Sequence, residues 1–157
     1  MNQKINSISY WRRMVFLLGL FKIRLIGLVK PRVLKVDETT VKVQIRLRRR
    51  TRNHLNSMYF GALAIGADVA GGIHAFYYAE QSGKKVSFAF KSMSAEFHKR
   101  AESDVVFICN DGSIVKKAIG QSILTGERVN DEVVVNAYNL SNELVARFVM
   151  GISVKVK

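Results

Sequence analysis

The sequence predicts an α+β fold in which a curved, five- to six-stranded antiparallel sheet wraps around one long apolar helix. Several segments alternate apolar and polar residues, which is the period of a strand that buries one face. The stretch from Ser57 to about Gln81 instead reads as a helix, with almost no polar side chain except Asp68 and His74. A helix that is apolar all round must be covered on nearly all sides, and a wrapped sheet can provide that cover.

The elements are expected in the order helix, strand, long helix, strand, strand, short helix, strand, strand. Strict alternation predicts a strand in "TVKVQIRLR", and the pattern of "KVSFAFKSMSAEF" changes phase near Lys91 to Ser92, which predicts a bulge there. The short helix should begin at Asp111 or Ser113 and stop at Gly126. The segments "DVVFICN", "DEVVVNAY" and "LVARFVMGISVKV" supply the remaining strands, the last two as a hairpin.

Length and composition favour a single globular domain. The chain has 157 residues, 48% of them hydrophobic, which is enough for one sizeable core. Its one cysteine, Cys109, allows no disulfide within the chain and no cysteine-rich zinc site, which favours a reducing, cytoplasmic setting. The three histidines lack metal-ligand spacing, and no phosphate-binding glycine loop occurs, so we expect no metal site.

The charge predicts an anionic partner. A net charge of +13 will attract nucleic acid, anionic lipid or a phosphorylated ligand such as coenzyme A. The densest cationic run is "RLRRRTR", from Arg46 to Arg52, which could equally be a solvated strand edge and turn. No stacking aromatic residues accompany it, so we expect no specific binding to nucleic acid.

The N-terminal segment, residues 1–30, is predicted to be helical over about residues 8–28 and to end before Pro31. Its apolar centre, "MVFLLGLF", is far shorter than the ~20 residues that span a bilayer. No signal-peptide cleavage site follows it. Two alternatives remain: the helix packs on the domain, or it makes peripheral contact with an anionic membrane.

Asp68 stands out because it interrupts the apolar helix. Counting by three and four from it gives a stripe of small residues that includes Gly61 and Ala64, so a ligand or another backbone can come close. A buried carboxylate must find donors or raise its pKa, and either outcome suits a general base. The alternative is a structural aspartate bonded to backbone amides, or to an arginine across a subunit interface. His74 is predicted to be a core histidine.

The loop "TRNHLNS" precedes this helix, and Asn56 or Ser57 could cap the helix start. Free amide groups at a helix N-terminus can donate to a developing oxyanion. Asn53 and His54 lie just upstream, where they could contact a ligand or simply cap the loop.

The strand, the asparagine-containing loop and the "NSMYFGALAIGADVAGG" helix resemble the hotdog fold, in which a curved sheet wraps a central helix. More specifically, the helix resembles that of the phenylacetate-type acyl-CoA thioesterases. Their His-Gly-Gly aligns with Tyr59, Phe60 and Gly61, and their helix aspartate aligns with Asp68. Length and the N-terminal helix also resemble the DUF4442 or YiiD C-terminal-like group. The resemblance covers about residues 30–157 and implies one hotdog domain over residues 31–157.

The resemblance implies an acyl-CoA thioesterase, with coenzyme A as part of the substrate and no separate cofactor. Asp68 would activate water or attack the thioester, and the Gly61 amide would polarise its carbonyl. Asn53 would orient water or substrate, and Asn56 and Tyr59 would contact the substrate.

Sites in this family form between subunits, which implies a homodimer or a dimer of dimers. The segment "FHKRA" resembles the family's coenzyme-binding strand end, so that Lys99 and Arg100 would bind phosphates. Tyr59 and Phe60 replace the family's His-Gly pair, so a module that binds acyl-CoA or lipid without catalysis is the alternative.

Overall fold

A computed structural model describes residues 3–157, which form six strands and four α-helices after a short 3-10 turn at Gln3–Asn6. The helices are α1 (Ile8–Phe21), α2 (Arg24–Val29), α3 (Phe60–Ser82) and α4 (Gly112–Thr125). The strands are β1 (Arg32–Val36), β2 (Val41–Ile45), β3 (Val86–Phe97), β4 (Val105–Cys109), β5 (Val129–Tyr138) and β6 (Leu144–Val156).

The six strands form one antiparallel sheet in the order β1-β2-β4-β5-β6-β3. Alternate residues of the central strands point at α3 and are fully buried, which confirms the predicted α+β fold with a curved sheet around a central helix. Among residues 3–157, α3 is the only helix long and apolar enough to cross a membrane, but most of its apolar window is buried inside the fold. It is therefore the core helix of the domain.

Gly66 marks a close contact between α3 and the sheet. A Cβ atom built on Gly66 would lie 2.3 Å from two ring carbons of Phe107, whose side chain is fully buried in β4. Glycine at this position lets the helix approach the sheet.

We expect Gly66→Ala to lower the free energy of unfolding by about 1–3 kcal/mol, because overpacking a core forces neighbouring atoms to shift. Gly120→Ala in α4 is the matched control, since a Cβ there meets no atom within 4 Å. It should instead raise stability by roughly 0.4–1 kcal/mol. Urea unfolding of both variants beside the wild type gives the comparison, and equal effects would contradict the packing argument.

The N-terminal helical segment differs from the prediction of one helix over residues 8–28. It is a hairpin of α1 and α2, broken at Lys22 and Ile23, whose N–H groups both donate to the Leu18 carbonyl. The two helices touch at Gly19 and Gly27, so closely that a Cβ on Gly27 would lie 2.5 Å from the Gly19 oxygen. The break is thus a product of helix–helix packing.

One face of this helical hairpin packs on the rest of the domain. Trp11, Val15 and Ile26 are almost fully buried. The Trp11 indole donates to the Ile5 carbonyl at 2.9 Å and stacks on Tyr77 of α3. These contacts hold one face of the hairpin against α3.

One strand was missed, and two predicted element boundaries are wrong. β1 was not anticipated, and it pairs with β2 through a turn held by the Asp37 carboxylate. β2 ends at Ile45 and not at Arg48, because the Leu47 N–H turns away to donate to Asp104 at 2.9 Å. α3 begins three residues later than Ser57, with Tyr59 at the N-cap.

Other predicted features are confirmed. The register of β3 against β6 shifts between Phe90 and Ser92, where the bulge was expected. α4 follows Asp111 and ends at Gly126, which has a φ of 72°. Asp111 does not cap the helix with its side chain, since its carboxylate accepts a 2.6 Å hydrogen bond from the Val134 N–H.

Candidate functional site

Asp68 lies in an apolar hollow of about 230 Å³ between α3, the helical hairpin and the start of β3. Its side chain is partly exposed to this hollow, which we call the Asp68 hollow. All the other lining residues are apolar: Met14, Val15, Leu18, Ile23, Ile26, Val69, Gly72, Ile73, Phe76, Phe88, Ala89 and Phe90. The arrangement presents one carboxylate to a space suited to a hydrocarbon chain.

The Asp68 carboxylate has neither a hydrogen-bond donor nor an ion-pair partner within residues 3–157. Burial alone raises the pKa of Asp68 above the usual aspartate value. Asp68 is therefore not a structural aspartate held by backbone amides of its own chain. A carboxylate with a raised pKa and no partner is instead a candidate acid or base.

A second hollow, an open groove of about 540 Å³, lies beside the start of α3. We call it the helix-start groove. It brings together four of the predicted site residues, Asn53, Tyr59, Lys99 and Arg100. Phe60 and Phe97 form its apolar part.

Asn53 organises the loop that enters α3. Its side-chain oxygen accepts hydrogen bonds from the Leu55 and Ser57 N–H groups, at 2.9 and 3.1 Å, and from the Ser57 hydroxyl at 3.2 Å. The oxygen is thus used for loop capping, while the amide nitrogen of Asn53 has no partner in the described chain.

Neither Asn56 nor Ser57 caps α3, contrary to the prediction. Asn56 is exposed, adopts a positive φ of 60°, and accepts a 3.4 Å hydrogen bond from Arg52. An asparagine tolerates this left-handed conformation. It does not line either hollow.

The start of α3 offers free donors at Gly61. The N–H groups of Phe60 and Gly61 have no acceptor in the described part of the chain, as expected for the first turn of a helix. The Tyr59 ring folds over Gly61, where a Cβ atom would lie 2.4 Å from a ring carbon. Tyr59 and Phe60 also contact each other, with ring centroids 4.9 Å apart.

Lys99 and Arg100 differ in their electrostatic environment. The Lys99 ammonium donates to the Glu143 carboxylate, and this ion pair lowers the pKa of Glu143. Arg100 is exposed and pairs with no carboxylate within residues 3–157. Arg100 is therefore the more available of the two cations.

Asp68 and the helix-start groove are separate within one chain. The Asp68 hollow lies beside Phe88 to Phe90, near the start of β3, and the groove lies beside Phe97, at its end. One chain thus carries five of the predicted site residues in two separate hollows, while Asn56 and Gly61 line neither hollow.

Sequence reasoning missed the wall that the helical hairpin builds over Asp68. Met14, Leu18 and Ile23 belong to this wall. From the sequence, these three residues could be identified only as apolar residues of a helix. Where the hairpin sits depends on its contacts with α3 and β1, which no local pattern records.

Two other reactive side chains belong to the core. His74 is fully buried, has no hydrogen-bond partner on either ring nitrogen, and has a pKa lowered by burial. Burial raises the pKa of Cys109 to about 11, so its thiol stays protonated and unreactive. Residues 3–157 contain no cluster of histidine, cysteine and acidic side chains that could hold a metal.

Comparison with solved structures shows which proteins share this fold. A Pseudomonas aeruginosa protein described as a probable thioesterase has 17% identity and a TM-score of 0.75, covering 92% of this chain and 95% of its own. A Haemophilus influenzae thioesterase has 12% identity and a TM-score of 0.68, covering 89% and 88%. A Chlorobaculum tepidum protein of unknown function has 9% identity and a TM-score of 0.82, covering 97% and 98%.

Sequence comparison gives the family. No curated protein matches the chain. The family model for the domain of unknown function DUF4442 matches residues 13–154, nearly the whole length. The chain therefore belongs to the DUF4442 family, and its architecture is the hotdog fold of thioesterase-like proteins.

Proposed function

We propose that this protein hydrolyses an acyl-CoA thioester at a site shared by two copies of the chain. The observation that carries the proposal is the Asp68 carboxylate, which has a raised pKa, no partner, and an apolar hollow beside it. The hollow accepts the acyl chain, and the carboxylate faces the thioester carbonyl.

In the simplest reaction, Asp68 takes a proton from water as the water oxygen bonds to the carbonyl carbon. The carbon–sulfur bond then breaks, and the proton passes to the departing thiolate, which leaves a carboxylic acid and free coenzyme A. In direct attack, the Asp68 oxygen would bond to the carbonyl carbon, the carbon–sulfur bond would break to release the coenzyme A thiolate, and water would then hydrolyse the resulting anhydride. Both routes place a negative charge on the carbonyl oxygen, which the free amides of Phe60 and Gly61 stabilise.

Coenzyme A brings phosphate groups that need a cation. Arg100 meets this need better than Lys99, because Glu143 already neutralises the Lys99 charge. Guanidinium groups bind phosphate oxygens in pairs, which adds orientation to attraction. The amide nitrogen of Asn53 and the Tyr59 ring complete the groove that holds the coenzyme.

A second copy of the chain can join the two hollows through β3. This strand lies at the edge of the sheet, and Met93 and Phe97 are 44% and 51% exposed. An exposed edge strand can pair with a copy of itself. With the two-fold axis at Met93, Ala89 in the Asp68 hollow of one copy lies opposite Phe97 in the helix-start groove of the other.

Release of free thiol from a panel of acyl-CoAs tests the proposal. The panel contains short, medium and long aliphatic chains and one aromatic acyl group. Aliphatic chains should be preferred, because the Asp68 hollow is lined by aliphatic and phenylalanine side chains. No thiol release from any member by folded, dimeric protein would exclude the hydrolase.

Replacement of Arg100 tests the assignment of the phosphate site. Arg100→Gln should raise KM for acyl-CoA about tenfold and leave kcat nearly unchanged, because the lost contact is made in ground and transition states alike. Lys117→Gln is the charge-matched control, an exposed lysine of α4 outside both hollows. Equal KM values for the two variants would show that Arg100 does not bind the substrate phosphates.

A binding module without catalysis is the second candidate. The aromatic pair of Tyr59 and Phe60 at the helix start favours it, because two rings stand where the phenylacetate-type thioesterases that the sequence resembles have His-Gly. Saturable binding of acyl-CoA in calorimetry, with no thiol release, would establish this function.

A further inference from the structure

The first 36 residues of the chain are strongly cationic, with eight lysine and arginine residues and no aspartate or glutamate. The helical hairpin also exposes large apolar side chains on the face that does not pack on the domain. The most exposed are Phe16 at 64%, Phe21 at 71%, Leu25 at 61% and Leu28 at 53%. Such a cluster marks an interaction surface.

A basic cleft of about 1140 Å³ adjoins this apolar face. Its cations come from two stretches of the chain, residues 30–32 and 46–50: Lys30, Arg32, Arg46, Arg48, Arg49 and Arg50. All six are exposed, and none forms an ion pair with a carboxylate of residues 3–157. The arginine run of the sequence is thus one wall of a cleft, and the end of the hairpin is another.

The apolar face and the basic cleft are continuous. Leu28 and Lys30 line the basic cleft, and the same two residues share a neighbouring hollow with Phe16 and Leu20 of α1. The Arg50 guanidinium also approaches the Leu28 carbonyl, at 3.5 Å. Close contact at Gly19 and Gly27 fixes α1 against α2, so the apolar side chains are already arranged on one rigid hairpin.

We propose that the helical hairpin and the basic cleft dock this protein on an anionic lipid bilayer. The exposed apolar side chains enter the headgroup region, to the depth of about 5–10 Å that amphipathic interfacial helices reach. The cleft binds lipid phosphates. None of the four most exposed apolar residues and none of the six cleft cations lines the Asp68 hollow or the helix-start groove, so the inference stands without the proposed thioesterase activity.

Charge complementarity favours a bilayer over a second copy of the chain. Arg12, Arg13, Lys22 and Arg24 belong to or adjoin the hairpin helices, and no acidic residue accompanies them. A symmetric contact through this face would bring like charges together in both copies. An anionic bilayer instead supplies phosphates for the cations and hydrocarbon for the apolar side chains.

Flotation of the full chain with lipid vesicles tests the proposal. We expect binding to vesicles of phosphatidylcholine and phosphatidylglycerol at 3:1, little binding to phosphatidylcholine alone, and release as salt rises. Arg48→Gln/Arg49→Gln/Arg50→Gln should weaken binding more than tenfold, at about fivefold per charge. The matched control, Lys84→Gln/Lys85→Gln/Lys117→Gln, removes three exposed lysines outside the cleft and should stay within twofold.

Phe21→Ser/Leu25→Ser tests the apolar face separately, and its exposed positions should leave the fold intact. The expected result is a tenfold loss of vesicle binding at an unchanged oligomeric state. Equal binding to neutral vesicles, or equal loss in the cleft variant and its control, would overturn the proposal. So would a change of oligomeric state in the apolar variant, or binding of a short RNA by a wild type that ignores vesicles.

Discussion

Asp68→Asn should abolish thiol release and stabilise the protein at neutral pH. Asparagine has nearly the same size but can neither take a proton from water nor attack the thioester, so kcat should fall roughly 10³-fold. The affinity for acyl-CoA should change little, because the apolar hollow and Arg100 remain. We therefore expect the variant to bind acyl-CoA without releasing thiol.

The size of this stability gain depends on pH. Burial raises the Asp68 pKa in the folded state, so below the ordinary aspartate pKa of ~3.9 both states hold the proton and the residue costs nothing. As the pH rises, the unfolded chain ionises first, and the folded state becomes relatively less stable. The cost is complete above the folded-state pKa.

Thermal unfolding of wild type and Asp68→Asn at pH 3 and pH 7 measures this effect. The variant should be more stable at pH 7, by roughly 1 kcal/mol as is common when a strained functional group is removed. The difference should vanish at pH 3. A variant that is less stable at pH 7 would show that the carboxylate has a stabilising partner, such as an arginine of a second subunit.

Proline substitutions on β3 should separate the dimer from the fold. The wild type should have a mass of about 35 kDa in solution, twice the 17.7 kDa chain. Along an antiparallel edge strand, N–H groups point alternately to the neighbouring strand and outward. Of Ser94→Pro and Ala95→Pro, one therefore removes an outward donor and the other a donor to β6.

The variant that loses the outward donor should be a folded monomer without thiol release. The variant that loses the donor to β6 should be the less stable of the two by ~1–2 kcal/mol, since a ladder hydrogen bond is broken and a buried acceptor is left. Light scattering and urea unfolding distinguish them. If both variants stay dimeric and active, then β3 is not the contact between the copies.

The sequence patterns predicted the core of this fold because each buried strand shows its own period. In β6, every second residue from Ala146 to Val154 is apolar and fully buried. Bulge and helix-stop signals at Ser92 and Gly126 were equally local and proved correct.

The patterns failed where contacts between distant segments decide the outcome. The strand after Thr40 ends early because Leu47 donates to Asp104, 57 residues away. The N-terminal helix breaks between Phe21 and Arg24, with neither proline nor glycine at the break, because Gly19 and Gly27 let α1 and α2 close on each other.

The candidate site also combines local features that the sequence predicted with long-range contacts that it did not. The position of Asp68 on a helix apolar all round predicted a buried carboxylate that must find donors or raise its pKa, and the fold shows the second outcome. The neutralisation of Lys99 by Glu143, 44 residues later, left no mark in the segment around Lys99. The position of the Tyr59 ring over Gly61 could not be predicted either, because composition alone gives no ring orientation.

The wall over Asp68 has an evolutionary consequence. Met14, Leu18 and Ile23 come from one short, continuous piece of chain that precedes the first strand, while the carboxylate and the helix-start groove come from later segments. Under the proposed function, acyl selectivity and chemistry therefore lie in separable parts of the chain. Exchange of the first thirty residues between relatives should transfer a preference for acyl length without disturbing the residues that cleave the thioester.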